Sequence, residues 1–168
     1  MPDDVRGTAE AYIAAANAHD PDNMVSMWAP GGIEEFPALG TQYVAPLEIR
    51  SHFAGLFESI PDVQFDLQRL AVQAGSAFAL SKMSGTHVGL YNGLKGTGRS
   101  FELLVGDFLT VDDDGIRHNV VLFDGLSVLR QLAGFPPPGS KRERVLAALI
   151  NAVAPVRRAS IRRGPRQR

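Results

Sequence analysis

The sequence predicts an α+β domain in which helices cover one face of a curved antiparallel sheet. Up to Pro61 the apolar residues recur at spacings of three and four, the period of amphipathic helices. From Val63 onward they alternate every second residue, the period of half-buried strands. Helices followed by antiparallel strands are typical of the α+β class. The length of 168 residues, with 45% hydrophobic and 21% charged residues, indicates one folded domain of ordinary size and excludes wholesale disorder.

Three helices are expected first. Pro2, Asp3 and Asp4 favour a helix start, and the first helix breaks at residues 17–21. A short second helix covers about residues 22–28, and the third begins at Pro46 and stops at Pro61. Between the second and third helices, residues 29–32 are expected to form a turn and residues 33–36 a short strand.

Four strands and a closing helix follow. A phase slip between Leu67 and Leu70 in the first of these strands indicates a β-bulge. Residues 112–115, Asp-Asp-Asp-Gly, are a hairpin turn signal, and the glycine-rich residues 89–98 are expected to be a loop. The predicted strands cover residues 63–72, 77–87, 101–111 and 116–123, and the closing helix covers residues 126–132.

Charge is distributed unevenly. Residues 1–140 carry 8 Lys and Arg against 17 Asp and Glu, whereas residues 141–168 carry 9 Lys and Arg and only Glu143. The acidic body argues against nucleic acid as its partner. We divide the chain into a domain at residues 1–138 and a basic tail at 139–168, with a short amphipathic helix that Pro155 ends. For the tail we favour docking within the protein or onto another subunit, or fraying, over membrane contact.

Several chemistries are not expected. The chain has no cysteine, which excludes disulfides and thiolate nucleophiles, and its four histidines are not at metal-ligand spacing, so no metal site is predicted. There is no bilayer-spanning apolar run and no sign of a secretory leader. These features favour a cytoplasmic location.

One carboxylate stands in an apolar pattern. On the strand at residues 101–111, every second side chain is apolar except Asp107. Burial on that face would raise the pKa of Asp107 unless a donor or a cation stabilises its charge. Asp107 is therefore either a functional acid or a structural acid satisfied by the backbone or an arginine.

Two further polar positions could meet it. Tyr12 lies on the apolar face of the first helix, where a core tyrosine with a bonded hydroxyl is the alternative. Glu34 and Glu35 lie in an apolar stretch, and strand alternation can bury only one of them. The alternative for this pair is a solvated strand edge.

Residues 5–135 resemble the SnoaL-like polyketide cyclases, which share a superfamily with nuclear transport factor 2 and ketosteroid isomerase. The resemblance implies a cone-shaped bent antiparallel sheet with three helices around one apolar pocket, and a homodimer formed through the sheet's outer face. The stretches that carry the resemblance are residues 11–20, 57–62, 85–89, 93–99, 114–116 and 129–132.

The resemblance places functional residues only in part. The catalytic aspartate of SnoaL-like aldol cyclases falls at Val121 and its partner histidine at Asp107, so that pair is missing. The ketosteroid isomerase positions fit better: its oxyanion tyrosine falls at Tyr12, its base at Glu35, with Glu34 as the alternative, and its oxyanion aspartic acid at Asp107.

We therefore predict a cofactor-independent acid/base enzyme that acts on a hydrophobic polyketide- or steroid-like molecule. Glu35 would remove a proton from carbon or a hydroxyl, while Tyr12 and neutral Asp107 stabilise the oxyanion. The alternative is a hydrophobic ligand-binding module without chemistry. The predicted substrate-binding residues are Trp28, Phe36, Phe53, Phe57, His87, Val105, Asn119, Val121 and Phe123.

Overall fold

The computed structural model describes the backbone of residues 2–91 and 93–161 and the side chains of residues 5–91 and 93–152. These residues form two units, Met1–Ala133 and Gly134–Arg168. The first unit contains the sheet and four helices. The second contains one helix.

The helices of the first unit agree closely with the sequence pattern. The second ends at Ser26, so Trp28 belongs to the following strand rather than to the helix. Pro46 is the N-cap of the third helix. The four helices are α1 (Pro2–Asn17), α2 (Pro21–Ser26), α3 (Leu47–Ser59) and α4 (Gly125–Leu132).

The sheet has six strands in the order β2-β1-β6-β5-β4-β3, and it is curved but not closed. Neighbouring strands are antiparallel except β1 and β6, which are parallel. The predicted α+β class with a bent sheet is confirmed. The strands are β1 (Trp28–Phe36), β2 (Thr41–Val44), β3 (Gln64–Gln73), β4 (Ser76–His87), β5 (Arg99–Asp112) and β6 (Gly115–Phe123).

Two local predictions were wrong. Residues 29–32 are not a turn but part of β1, whose pairing with β6 shifts register between Trp28 and Ile33. Gly32 serves close packing here, because a Cβ atom on it would lie 2.6 Å from the backbone oxygen of Ile116. The other miss is β2, a four-residue strand whose partly exposed side chains show no clear alternation.

The predicted irregularity in β3 is confirmed, because the pairing of β3 with β4 shifts register between Leu67 and Arg69. The hairpin turn is confirmed as well, since β5 ends at Asp112 and β6 begins at Gly115. These two features keep the long strands in register, so alternate side chains of β5 point into the domain interior.

The second unit differs from the prediction in one respect. Its helix α5 spans Lys141–Ile161 and therefore continues past Pro155 instead of ending there. Proline removes one backbone hydrogen bond from a helix but does not forbid its continuation. Within the described part of the chain, no helix is both long enough and apolar enough to cross a membrane.

Candidate active site

Tyr12 lies on the inner face of α1. Its side chain is buried, and its hydroxyl donates a 2.9 Å hydrogen bond to Oε1 of Glu34 on β1. The rings of Trp28 and Phe53 pack edge-on against it, with centroid distances of 6.2 and 6.0 Å. The helix therefore places a phenol with a fixed orientation against an acid of the sheet.

Glu34, and not Glu35, faces the interior. Glu34 is 1% exposed, whereas Glu35 is half-buried and pairs with His118 on the neighbouring strand at 3.4 Å. The prediction that Glu35 faces the pocket is therefore wrong, and Glu34, the alternative left open from the sequence, takes that position. Successive residues of a strand point to opposite faces, and the irregular start of β1 sets which one points inward.

A single amide joins the two buried acids. Nδ2 of Asn119 donates to Oδ1 of Asp107 at 2.9 Å and to Oε1 of Glu34 at 3.3 Å. The sheet register explains this arrangement, because Asn119 pairs with Glu34 and lies two residues from Val121, the partner of Asp107. Asp107 is thus held by a neutral donor, and no described arginine neutralises it.

Burial dominates the electrostatics of this cluster. Desolvation raises the pKa of Glu34 to about 8, which the hydrogen bonds from Tyr12 and Asn119 oppose and the charge of Asp107 reinforces. Desolvation raises the pKa of Asp107 to about 6, against the hydrogen bond from Asn119. Burial, followed by the charges of both acids, raises the pKa of Tyr12 well above its ordinary value.

Burial therefore disfavours ionisation of both carboxyl groups, and the upward shift of the pKa is larger for Glu34 than for Asp107. The phenol of Tyr12 stays neutral. Two neighbouring carboxyl groups with different pKa values are the arrangement that acid/base enzymes use to hold a base and an acid at the same pH.

The second oxygen of each acid, which Asn119 does not contact, has no hydrogen-bond partner among the described residues. Oε2 of Glu34 is buried, and it has no hydrogen-bond partner among the described residues. Oδ2 of Asp107 likewise makes no hydrogen bond to a described residue. A buried carboxyl oxygen without a partner is unfavourable, so these atoms are suited to pair with a group in the cavity: an ionised oxygen accepts from a hydroxyl, and a protonated one donates to a hydroxyl or carbonyl oxygen.

Tyr12, Glu34 and Asp107 line one cavity of about 650 Å³. The remaining wall is mostly apolar apart from His52, His87 and Tyr91, and no lysine or arginine contributes to it within the described residues. Six predicted substrate-binding residues line the cavity, namely Phe36, Phe53, His87, Val105, Val121 and Phe123.

Three predicted substrate-binding residues do not line it. Trp28 and Phe57 are buried in the core, and Asn119 lies behind the two acids. Among the described residues, no group of three acids or histidines is placed to hold a metal ion.

Residues 7–132 match the sequence profile of the SnoaL-like polyketide cyclases. The chain belongs to this family. By sequence, it matches no curated protein.

Solved structures support the same fold for this SnoaL-like protein. AclR from Streptomyces galilaeus, a proposed hydroxylase, is 16% identical with a TM-score of 0.70, covering 81% of this chain and 100% of its own. IdmH from Streptomyces antibioticus, a proposed polyketide cyclase, is 21% identical with a TM-score of 0.62, and the match covers 76% of this chain and 97% of IdmH. A Catenulispora acidiphila protein of ketosteroid isomerase-like fold is 17% identical with a TM-score of 0.65, over 77% and 97%.

Sequence analysis missed one important wall residue of this SnoaL-like cavity. His52 belongs to α3 and lines the cavity, with its ring stacked on Tyr43 at 4.3 Å and its Nε2 3.4 Å from the Tyr91 hydroxyl. Burial lowers its pKa to about 4, so the ring is neutral near neutral pH. Helical spacing was the signal that could have indicated its burial, because His52 lies three residues after Ile49 and four before Leu56 on the apolar face of α3.

Proposed function

We propose that this protein is a cofactor-independent acid/base enzyme that cyclises or isomerises a hydrophobic polyketide- or steroid-like small molecule. The observation that carries the proposal is the pair of buried carboxyl groups, bridged by Asn119, on the wall of an apolar cavity. Membership of the SnoaL-like polyketide cyclase family supports a cyclase- or isomerase-type function.

Asp107 is the base in this proposal. It is the more acidic member of the pair, and its Oδ2 has no partner among the described residues. A base works best when its pKa lies near the working pH, and a pKa of about 6 fulfils that condition. This assignment replaces the glutamate base expected from the sequence.

Glu34 is the acid. Its raised pKa favours the protonated form, and Oε2, which has no partner among the described residues, is the oxygen left to carry that proton. Tyr12 directs its own proton to Oε1 of Glu34, so it acts as a positioning residue rather than as a donor to substrate. An uncharged donor in an apolar site stabilises a developing oxyanion strongly, since little water competes with it.

The reaction then follows in two steps. Asp107 removes a proton from the carbon next to a substrate carbonyl, and the Glu34 carboxyl donates a hydrogen bond to the enolate oxygen that forms. For isomerisation, Asp107 returns the proton to a different carbon. For ring closure, the enolate carbon attacks a second carbonyl carbon, and the new alkoxide takes the proton of Glu34, which Asp107 then restores.

The wall of the cavity restricts the substrate. It consists of apolar and aromatic side chains, and it already contains two carboxyl groups without a nearby lysine or arginine among the described residues. Transfer of an anionic ligand into such a site is unfavourable. We therefore propose a neutral, largely apolar substrate.

A ligand-binding module without chemistry is the second candidate. It is favoured by Val121, which lines the cavity where the family resemblance places a catalytic aspartate. Such a module would bind the same neutral compounds, so only a measurement of proton transfer separates the two candidates.

Solvent deuterium exchange is that measurement. We expect the protein to accelerate deuterium incorporation at the α-carbon of β-tetralone, a neutral fused-ring ketone, in D₂O as followed by proton NMR. Enolate formation is sufficient for the signal, so the natural product need not be known. Binding of β-tetralone without any acceleration above the buffer rate would favour the binding module.

We also propose that two copies pair through the outer face of the sheet. This face exposes large apolar side chains on three adjacent strands, and such patches usually mark an interaction site. A twofold axis would place the same patch on both copies. The exposed residues are Phe78, Leu104, Phe108 and Leu122, which are 37–57% exposed.

Replacing Leu104 with glutamate is expected to convert a dimer into a monomer, because it would place two like charges in the apolar interface. Sedimentation velocity measures the change. Leu47→Glu is the matched control, since Leu47 is 75% exposed at the start of α3 and not on the sheet. A wild-type protein that sediments as a monomer at high concentration would contradict the proposal.

A further inference from the structure

Apart from the acid cluster and from His52 with its neighbour Tyr91, a further polar side chain lies in the cavity wall. His87 is the last residue of β4, is 1% exposed and lines the same cavity as Asp107. The mechanism proposed above does not use it. A buried histidine that borders an otherwise apolar cavity requires an explanation, because an unsatisfied ring nitrogen is unfavourable there.

The backbone and one ring nitrogen of His87 are held in place. Its carbonyl oxygen accepts hydrogen bonds from the backbone N–H groups of Thr97 and Gly98, at 3.1 and 2.8 Å. Its Nδ1 lies 3.4 Å from the Thr97 hydroxyl. Its Nε2 makes no hydrogen bond to any described residue. A fixed imidazole with one unused nitrogen is suited to bind a ligand oxygen.

The register of the sheet separates this histidine from the acids. Asp107 pairs with Ala79, and His87 lies eight residues further along β4, opposite Arg99. Eight residues correspond to at most about 26 Å along the strand, and the bend of the sheet shortens the direct distance. The β5 side chains between these two positions that line the cavity are Phe101, Leu103 and Val105.

We infer that His87 is a second polar subsite, which binds a hydroxyl or carbonyl oxygen at the far end of an elongated, otherwise apolar and neutral substrate. The inference rests on the proposed function for the chemistry at the near end and adds the shape and polarity of the substrate. The substrate is then polar at both ends and apolar between them. A compound with one oxygen would satisfy only one end.

Two pairs of rod-shaped probes test the inference by equilibrium binding. One pair is p-terphenyl with a para-hydroxyl group at one end or at both ends, and the other is biphenyl substituted in the same two ways. We expect the second hydroxyl to strengthen binding by about threefold to tenfold in the pair whose length matches the cavity, as for one uncharged hydrogen bond. His87→Leu should abolish this gain and leave the affinity for the one-ended probe nearly unchanged.

Further variants distinguish a binding role from a structural one. His87→Gln retains a donor and an acceptor and should restore part of the gain. Thr97→Val removes only the hydroxyl beside Nδ1 of His87, so this variant should keep most of the gain in affinity from the second hydroxyl of the probe. Thermal unfolding of each variant identifies any that fails to fold.

Three results would overturn the inference: no gain in wild type for either pair, a gain that persists in His87→Leu, or no binding of any probe to wild type. The two proposals can fail separately. If wild type showed no deuterium exchange but the second hydroxyl still strengthened binding through His87, the proposed chemistry would be wrong and the subsite would stand.

Discussion

Replacing Asp107 with asparagine is expected to slow deuterium exchange into β-tetralone by about 10²- to 10⁴-fold, the usual contribution of a general base. Asparagine has nearly the same shape and still offers an oxygen to the Asn119 amide, but it cannot accept a proton at neutral pH. Binding of the ketone should change little, because the apolar wall remains intact. The measurements are the exchange rate by NMR and the dissociation constant of β-tetralone for the same preparation.

Glu35→Gln is the matched control for this experiment. It makes the same acid-to-amide change on the opposite face of the sheet, where Glu35 pairs with His118 outside the cavity. This control should exchange deuterium at the wild-type rate. If Asp107→Asn retained full exchange activity while Glu34→Gln lost it, the two carboxyl groups would have the reverse roles. Full activity in both variants would contradict acid/base chemistry at this site.

The sequence predicted the buried aspartate because its strand alternates regularly. Phe101, Leu103, Val105 and Leu109 flank Asp107 on one face, and the structure buries all of them together with it. The pairing of β5 with β6 shifts register only between Thr110 and Val111, outside residues 101–109, in which every second side chain from Phe101 is buried as the sequence predicted.

The choice between Glu34 and Glu35 did not follow in the same way. Their strand begins with a register shift, and its start resembles a turn because of the Pro-Gly-Gly sequence at residues 30–32. Counting alternate residues across such an irregularity does not give the inward face, because one additional residue in the strand reverses which side chains point inward. The position of the base carried over from ketosteroid isomerase by resemblance favoured Glu35, which is one residue after the inward-facing Glu34.

The bridging role of Asn119 could not be deduced from sequence. It depends on which strands neighbour each other in the sheet. β1 pairs with β6, the first strand of the chain with the last. The sequence showed only that Asn119 has the same parity as Val121. Its contacts with Glu34 and Asp107 require the parallel pairing of β1 and β6, which the predicted antiparallel sheet did not include.

The same burial that supports catalysis should make the fold sensitive to pH. Glu34 has a pKa of about 8 in the folded protein against an ordinary value of 4.5, and Asp107 has a pKa of about 6 against an ordinary value of 3.8. Each folded protein molecule therefore holds protons that the unfolded chain has already released. The stabilisation from these protons is fully present below the pKa values of the unfolded chain. It declines as the pH rises from there through the pKa values of the folded protein.

The free energy of unfolding is thus expected to fall between about pH 4 and pH 8, with the part above pH 6 due mainly to Glu34. The shift of Glu34 alone corresponds to a loss on the order of 5 kcal/mol. Urea unfolding at pH 5 and pH 8 measures this loss in the wild type and in Glu34→Gln.

Glutamine cannot ionise, and its carbonyl oxygen can still accept the hydrogen bonds from Tyr12 and Asn119. Glu34→Gln should therefore be more stable than wild type by several kcal/mol at pH 8, and by much less at pH 5. Glu35→Gln lacks this burial and should follow the wild-type curve. A Glu34→Gln variant whose stability declines with pH as steeply as that of the wild type would show that Glu34 is not held neutral in the fold, and the acid of the proposed mechanism would then be lost.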